Sequence, residues 1–252
     1  LDKPFYLEIL VLESVFCTQS KLNPLLHEAF ELIKNRINSL TDVEPLYIDP
    51  KLSKIYSSLG KEELFIINEF YQAKGFRKIH LEVANLGNSF QILHCIFFPD
   101  PCYELPIFGV DLVFSFNNIS AAIVDLSPVG KHMSPLMKSQ IESIDVPKFK
   151  EPRKLPNWGY IFSPYVCFIR PVDIYEEKSF LRLIDQYLST LLSLAMIVRI
   201  DEINSLETID RFEYQKRYCF NQKRNDKTRV ILSKYFGSSW ADEYIDKILF
   251  EC

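Results

Sequence analysis

The chain has 252 residues, 48% hydrophobic and 25% charged, a balance that fits a packed globular protein and not a disordered one. Its formal net charge of −4 gives no global case for nucleic-acid binding, and its 7 glycines show neither G-x-G-x-x-G nor P-loop spacing, so a Rossmann or P-loop nucleotide site is unsupported. The 6 cysteines (17, 95, 102, 167, 219 and 252) form no C-x-x-C, which argues against zinc-ribbon or iron–sulfur ligation and reads as mostly reduced thiols.

The chain reads as a single domain, 1–252, with residues 1–21 as an N-terminal extension. Its FYLEILVLESVF run is broken by Glu8 and Glu13. Residues 22–40 carry apolar side chains at 25, 26, 30, 33, 37 and 40, a helical stripe. LFIINEFYQ (64–72), RKIHLEVA (77–84), FQILHCIFF (90–98), LPIFGVDLVFSF (105–116) and ISAAIVDLS (119–127) follow. Each is rich in β-branched and aromatic residues and bounded by Gly, Asn or Pro, so they read as a meander of about five antiparallel strands. Residues 134–150 read as a helix and 159–171 as a further strand ended by Pro171. Residues 176–198 read as a long amphipathic helix, and the tail to 250 is helix-rich. The run LLSLAMIV (191–198) is well short of the ~18 residues that span a bilayer, so no membrane segment is expected. Helix, sheet, then helices predict an α/β class, a three-layer α/β/α sandwich with a central antiparallel sheet and a ligand cleft between sheet and helices.

Four ionisable residues interrupt the apolar strands: His80, Glu82, His94 and Asp111. Residues of like parity share a strand face, so His80 and Glu82 point the same way. A two-residue turn at Gly87-Asn88 sets Glu82 opposite Leu93. A three-residue loop, 87–89, sets it opposite His94. The odd-length loop is predicted, because it gathers the ionisable groups on one face and unpaired buried charges are expensive. Asp111, following Gly109 and Val110, is expected to be buried and to bind its proton more tightly for that reason.

Two chemistries fit these residue types. His80, Glu82 and His94 form the donor set of a two-histidine, one-carboxylate iron site, although the second histidine of such a triad usually lies farther along the chain. Alternatively the groups donate and accept protons around an organic substrate, their mutual influence keeping some protonated near neutral pH. A second cluster, QKRNDKTRVILSKYFG (222–237), places Lys223, Arg224, Lys227 and Arg229 just before an apolar helix. There Lys227 and Thr228, with Arg153, are candidates to clamp ligand carboxylates. Basic residues here, at 148–154 and at 74–78 are candidates to dock a negatively charged partner.

Six segments, RKIHLEVANLG, QILHCIFFPDPCYELPIFGVDLV, ISAAIVDLSP, LPNWGYIFSPYVCFIRP, NDKTRVILSKYFG and DKILFE, together resemble the ferredoxin-dependent bilin reductase family. The likeness runs in order from about Leu22 to Phe250. It implies biliverdin IXα bound between sheet and C-terminal helices, with no flavin, metal or nicotinamide held by the protein. It also implies that electrons come singly from a [2Fe-2S] ferredoxin docked on a basic surface. The implied reaction is a four-electron reduction through bilin radicals, D-ring vinyl group first and then the A-ring. By the resemblance, Asp111 and His94 match the proton-donating pair, Glu82 the carboxylate beside the D-ring vinyl group, and His80 a histidine bridged to that site. Arg153, Lys227, Thr228 and Ser120 match propionate contacts. Asn225, Asp226 and Gln222 match polar residues on the helical side, and Ile92, Ile96 and Ile231 match apolar ring contacts. The presence of both Glu82 and His94 favours phycocyanobilin as product over phycoerythrobilin or phytochromobilin. The resemblance further implies a monomer in a plastid stroma or a cyanobacterial cytoplasm. The non-Met start and lack of a transit peptide lean to the former.

Overall fold

The computed structural model describes residues 22–59, 62–86 and 90–251. Helix α1 (Pro24–Asn38) begins with the Asn23 side chain accepting from the Leu25 amide and with Pro24 at its first position, where a missing N–H costs nothing. After it come β1 (Glu44–Pro45), a single turn α2 (Pro50–Ser53), β2 (Lys54–Leu59), β3 (Glu62–Ala73), β4 (Phe76–Leu86), β5 (Phe90–Pro99), β6 (Ile107–Ser115) and β7 (Asn118–Ser127). Helix α3 (Pro135–Glu142), a 3-10 turn (Gly159–Ile161), β8 (Cys167–Ile169) and α4 (Ile174–Ile197) follow. Helices α5 (Leu206–Gln222), α6 (Asp226–Phe236) and α7 (Ser238–Tyr244) lead into a π-turn at Ile245–Leu249.

The strands form one antiparallel sheet in the order β1-β3-β4-β5-β6-β7-β8, with β2 also pairing with β3. The predicted meander is β3 to β7. Alternation decides what each face meets. Odd residues of β4 and β5 (Ile79, Leu81, Val83, Leu93, Cys95, Phe97) join the core beneath α1 and α4. Even residues (Ala84, Ile96, Phe98) join a second core under the C-terminal helices, with Tyr218, Tyr244 and Phe250. Both faces are covered, as the three-layer reading requires.

Helix α4 buries Phe180, Leu183, Ile184, Tyr187, Leu188, Leu191 and Leu194, spaced three and four apart as one stripe. Its 24 residues are long and apolar enough to cross a bilayer, which the shorter run 191–198 did not foretell, but the stripe lies against the sheet.

Two expectations need correction. The helix predicted over 134–150 stops at Glu142; Ser134 caps it, and Pro147 lies in the extended segment beyond. The strand predicted over 159–171 is confined to Cys167–Ile169, because the Ser163 amide and hydroxyl are taken by the buried Asp125 carboxylate at 2.9 and 2.5 Å. A chain bent to serve that carboxylate cannot run straight along the sheet.

Candidate active site

The β4–β5 register pairs Glu82 with His94, and the last pair is Leu86 with Phe90. That is the register of a three-residue connection; residues 87–89 themselves lie outside the described residues. On the next strand His94 pairs with Asp111, so the three ionisable groups form one row across the sheet, continued by Asn68 on one side and Ile123 on the other. The row forms part of the wall of a cavity of about 730 Å³. Neighbouring wall is apolar (Ile92, Val113, Ala121), and the opposite side comes from α5, α6 and the π-turn, with Gln222, Ile231, Leu249 and Phe250.

Arg153, Lys154, Arg224 and Lys227 also line it, with the hydroxyls of Ser120 and Thr228 and the side chains of Asn225 and Asp226. Arg153 donates to the Ser120 carbonyl at 2.5 Å and lies over the Phe168 ring, which fixes its head near β7. The Asn225 side chain accepts from the Lys227 amide and caps α6, so the turn carrying Lys227 and Thr228 is held at the cavity. Positive charge on both sides of a largely apolar cleft suits a large apolar ligand bearing carboxylates.

Twelve of the fourteen predicted site residues therefore meet at one cavity. His80 and Ile96 do not line it. They belong to the adjoining row Phe70–His80–Ile96–Gly109–Asp125, which the C-terminal elements cover. His80 is fully buried, stacks on Phe70 with centroids 4.1 Å apart, meets the His94 ring edge-on at 5.5 Å, and bonds Asn68 Oδ1 through Nε2 at 2.8 Å.

The electrostatics of the row follow from burial and neighbours. Burial pushes the Glu82 carboxyl above its ordinary value, against the His94 charge and a hydrogen bond from the Tyr244 hydroxyl at 2.7 Å. His94 is held above its ordinary value: burial opposes its charge, but Asp111 Oδ1, 2.7 Å from Nδ1, and the Glu82 carboxyl outweigh it. Its Nε2 has no protein partner among the described residues. Burial, with His94 and Lys78 nearby, holds His80 well below its ordinary value, so it is neutral. Asp111 is not buried as expected; its side chain is 44% exposed.

Two partners escaped the sequence reading. Asn68 sits across from Glu82 on β3, and the parity argument, carried one strand further, would have found it. Tyr244 arrives from 162 residues away, and no local pattern announces that. Among the described residues no group of three or more His, Cys, Asp or Glu could hold a metal ion. Of the expected donor atoms, His94 Nδ1 is bonded to Asp111 and Glu82 Oε2 to Tyr244, while His94 Nε2 and His80 Nδ1 have no partner among the described residues.

Comparison with known proteins bears on this arrangement. A phycocyanobilin:ferredoxin oxidoreductase of Prochlorococcus marinus is 45% identical over 94% of this chain and 96% of its own. The protein of the same description from Synechococcus sp. is 47% identical over 92% and 94%. Tomato phytochromobilin synthase, solved in complex with biliverdin, shares the fold at a TM-score of 0.70 and 20% identity, covering 90% of this chain and 81% of its own. Residues 30–251 match the family model described as ferredoxin-dependent bilin reductase. With its antiparallel sheet and a cavity lined by basic residues against the C-terminal helices, the chain belongs to the ferredoxin-dependent bilin reductases, a family of oxidoreductases.

Proposed function

We propose that the protein reduces biliverdin IXα to phycocyanobilin by four electrons, taken singly from ferredoxin, with the D-ring vinyl group reduced before the A-ring. The observation that carries this is the row Glu82–His94–Asp111 along the wall of a cleft with basic side chains on both sides. Arg153, Lys227, Ser120 and Thr228 hold the propionates, and the isoleucines Ile92 and Ile231 pack on the rings. Ile96 and His80 act from behind, supporting the wall.

The bilin carries the electrons in this account, through radical intermediates, and the protein holds no flavin, metal or nicotinamide of its own. Its side chains orient the substrate and deliver protons where charge accumulates. His94 and Asp111 share a proton close to the pyrrole nitrogens and lactam oxygens, with His94 Nε2 free to donate. Glu82, protonated more readily than an exposed carboxyl, supplies the vinyl side. Exclusion of bulk water by the apolar walls protects the radical between electron deliveries.

Of the three basic clusters, 74–78 is a poor docking surface. Lys78 is buried, its pKa pushed down to about 8 chiefly by burial, and Arg77 bonds Gln215. Ferredoxin docks instead over the cavity mouth, against Arg153 and Lys154 on one side and Arg224 and Lys227 on the other, with the exposed Lys148 five residues before Arg153 in the chain. The enzyme works as a monomer, in one domain, in a plastid stroma or a cyanobacterial cytoplasm where reduced ferredoxin is at hand; the two relatives at 45% and 47% identity are cyanobacterial. Anaerobic incubation with biliverdin and a ferredoxin-reducing system, read by absorbance and product chromatography, tests the proposal. Phycocyanobilin is the expected product, with or without a metal chelator. Phycoerythrobilin would refute the product assignment, and chelator-sensitive turnover would revive the iron reading.

A further inference from the structure

Glu82 stands where the cavity meets a buried hydrogen-bond chain that the reading above leaves unused. Asn68 Nδ2 donates to the Leu52 carbonyl at 2.7 Å. Only the NH2 end can meet a carbonyl, so this bond decides which way the amide faces. Oδ1 is thereby turned toward His80 Nε2 at 2.8 Å and the Tyr244 hydroxyl at 2.9 Å. Because Oδ1 only accepts, neutral His80 carries its proton on Nε2. The Tyr244 hydroxyl also lies 2.7 Å from Glu82 Oε2, so one proton serves two acceptors.

The two charge states of Glu82 resolve this competition in opposite ways. When Glu82 is ionised, Tyr244 donates to Oε2. When Glu82 is protonated, the acid donates to the Tyr244 oxygen and the hydroxyl proton turns to Asn68 Oδ1. Every partner stays bonded in the acid state, and the ionised state keeps Tyr244 on Glu82 and His80 on Asn68. A rotation of one hydroxyl separates them. All three side chains are buried, where a lost bond is not replaced by water.

We propose that Asn68 and Tyr244 are positioning residues that let Glu82 pass its proton to the reduced vinyl group and remain hydrogen-bonded as the carboxylate. The proton leaves Glu82 for the substrate, and the Tyr244 proton swings from Asn68 to the oxygen left behind. No other atom moves between partners. The proposal rests on the reading of Glu82 as the vinyl-side donor. The other charged or titratable groups around Glu82 are His80 and Lys78 on its own strand, His94 on β5 and Asp111 on β6; none of them is substituted in the variants below, and Asn68→Leu also takes the acceptor from His80 Nε2.

Infrared titration of the substrate-free protein tests it, following the carboxylic-acid stretch of Glu82 assigned by its loss in Glu82→Gln. Tyr244→Phe removes the donor to the ionised form, so the Glu82 midpoint rises by about one to two pH units. Fluorotyrosine at position 244 keeps the shape but donates more strongly, so the midpoint falls. Asn68→Leu removes the competing acceptor, and the midpoint falls there too. A general loosening of packing would move all three variants in one direction. Opposed signs support the proposal. Shifts of one sign throughout, or no shift in Tyr244→Phe, overturn it. Normal phycocyanobilin from Glu82→Gln instead overturns the vinyl reading beneath it, whatever the titration shows.

Discussion

Replacing Asp111 with Asn removes one charge from the His94 pair and preserves its shape. The Nδ1–Oδ1 contact is 2.7 Å, with His94 11% and Asp111 44% exposed at the side chain. A hydrogen bond to a charged partner contributes about 1.5–3 kcal/mol, and the solvent reaching Asp111 places this one near the lower end, about 1–2 kcal/mol. At about 1.4 kcal/mol per pKa unit, His94 then loses its proton about one unit lower, since burial is opposed by Glu82 alone. The sign for stability follows. A histidine raised in the folded state contributes stability that is complete below its unfolded value of ~6.5 and disappears as pH rises through the folded value. Asp111→Asn therefore destabilises by about 1–2 kcal/mol in mildly acidic solution and by little in alkaline solution. NMR titration of labelled histidines, with urea unfolding at both pH values, reads both quantities. An unchanged or raised His94 midpoint, or a stability loss independent of pH, would refute the reasoning. In turnover the same variant is expected to bind biliverdin and stall at a bilin radical.

Glu82→Gln keeps the Tyr244 contact but removes the proton donor, so A-ring chemistry survives while the vinyl group stays unreduced; product chromatography with biliverdin decides this. Arg153→Gln weakens biliverdin binding about tenfold, about 1.4 kcal/mol for one charge-assisted contact, without changing product identity, as fluorescence or absorbance titration would show. Lys148→Glu raises KM for ferredoxin most at low ionic strength and leaves biliverdin affinity unchanged, a salt-dependent kinetic comparison.

The sheet and the row of ionisable residues were legible because both obey a period of two. Strands β3 to β7 announce themselves by β-branched and aromatic runs, and the pairing of Glu82 with His94 follows from parity once the loop length is odd. The floor of the site thus follows from the local pattern and one connection. Its second layer does not. The bonds that Asn68 and Tyr244 make to His80, to Glu82 and to each other span 12, 162 and 176 residues, and only the folded register brings the partners together. His80 and Ile96 illustrate the limit of parity: they share a face with Glu82 and His94, yet one row along the strand the C-terminal helices cover that face. Strand β2 was missed because KIYSSL interrupts its apolar residues with two serines and pairs only along the β3 edge. The bend at Ser163 was missed because its cause, Asp125, lies 38 residues away.

The central claim is that protons from the Glu82–His94–Asp111 row meet electrons delivered one at a time to the bilin itself. Anaerobic electron titration of the biliverdin-bound protein with reduced ferredoxin, followed by electron paramagnetic resonance and absorbance, tests it most directly. The account predicts an organic bilin radical after the first electron, its decay as protons are supplied, and phycocyanobilin after four. Reduction without an organic radical, or a signal from protein-bound iron, would contradict it.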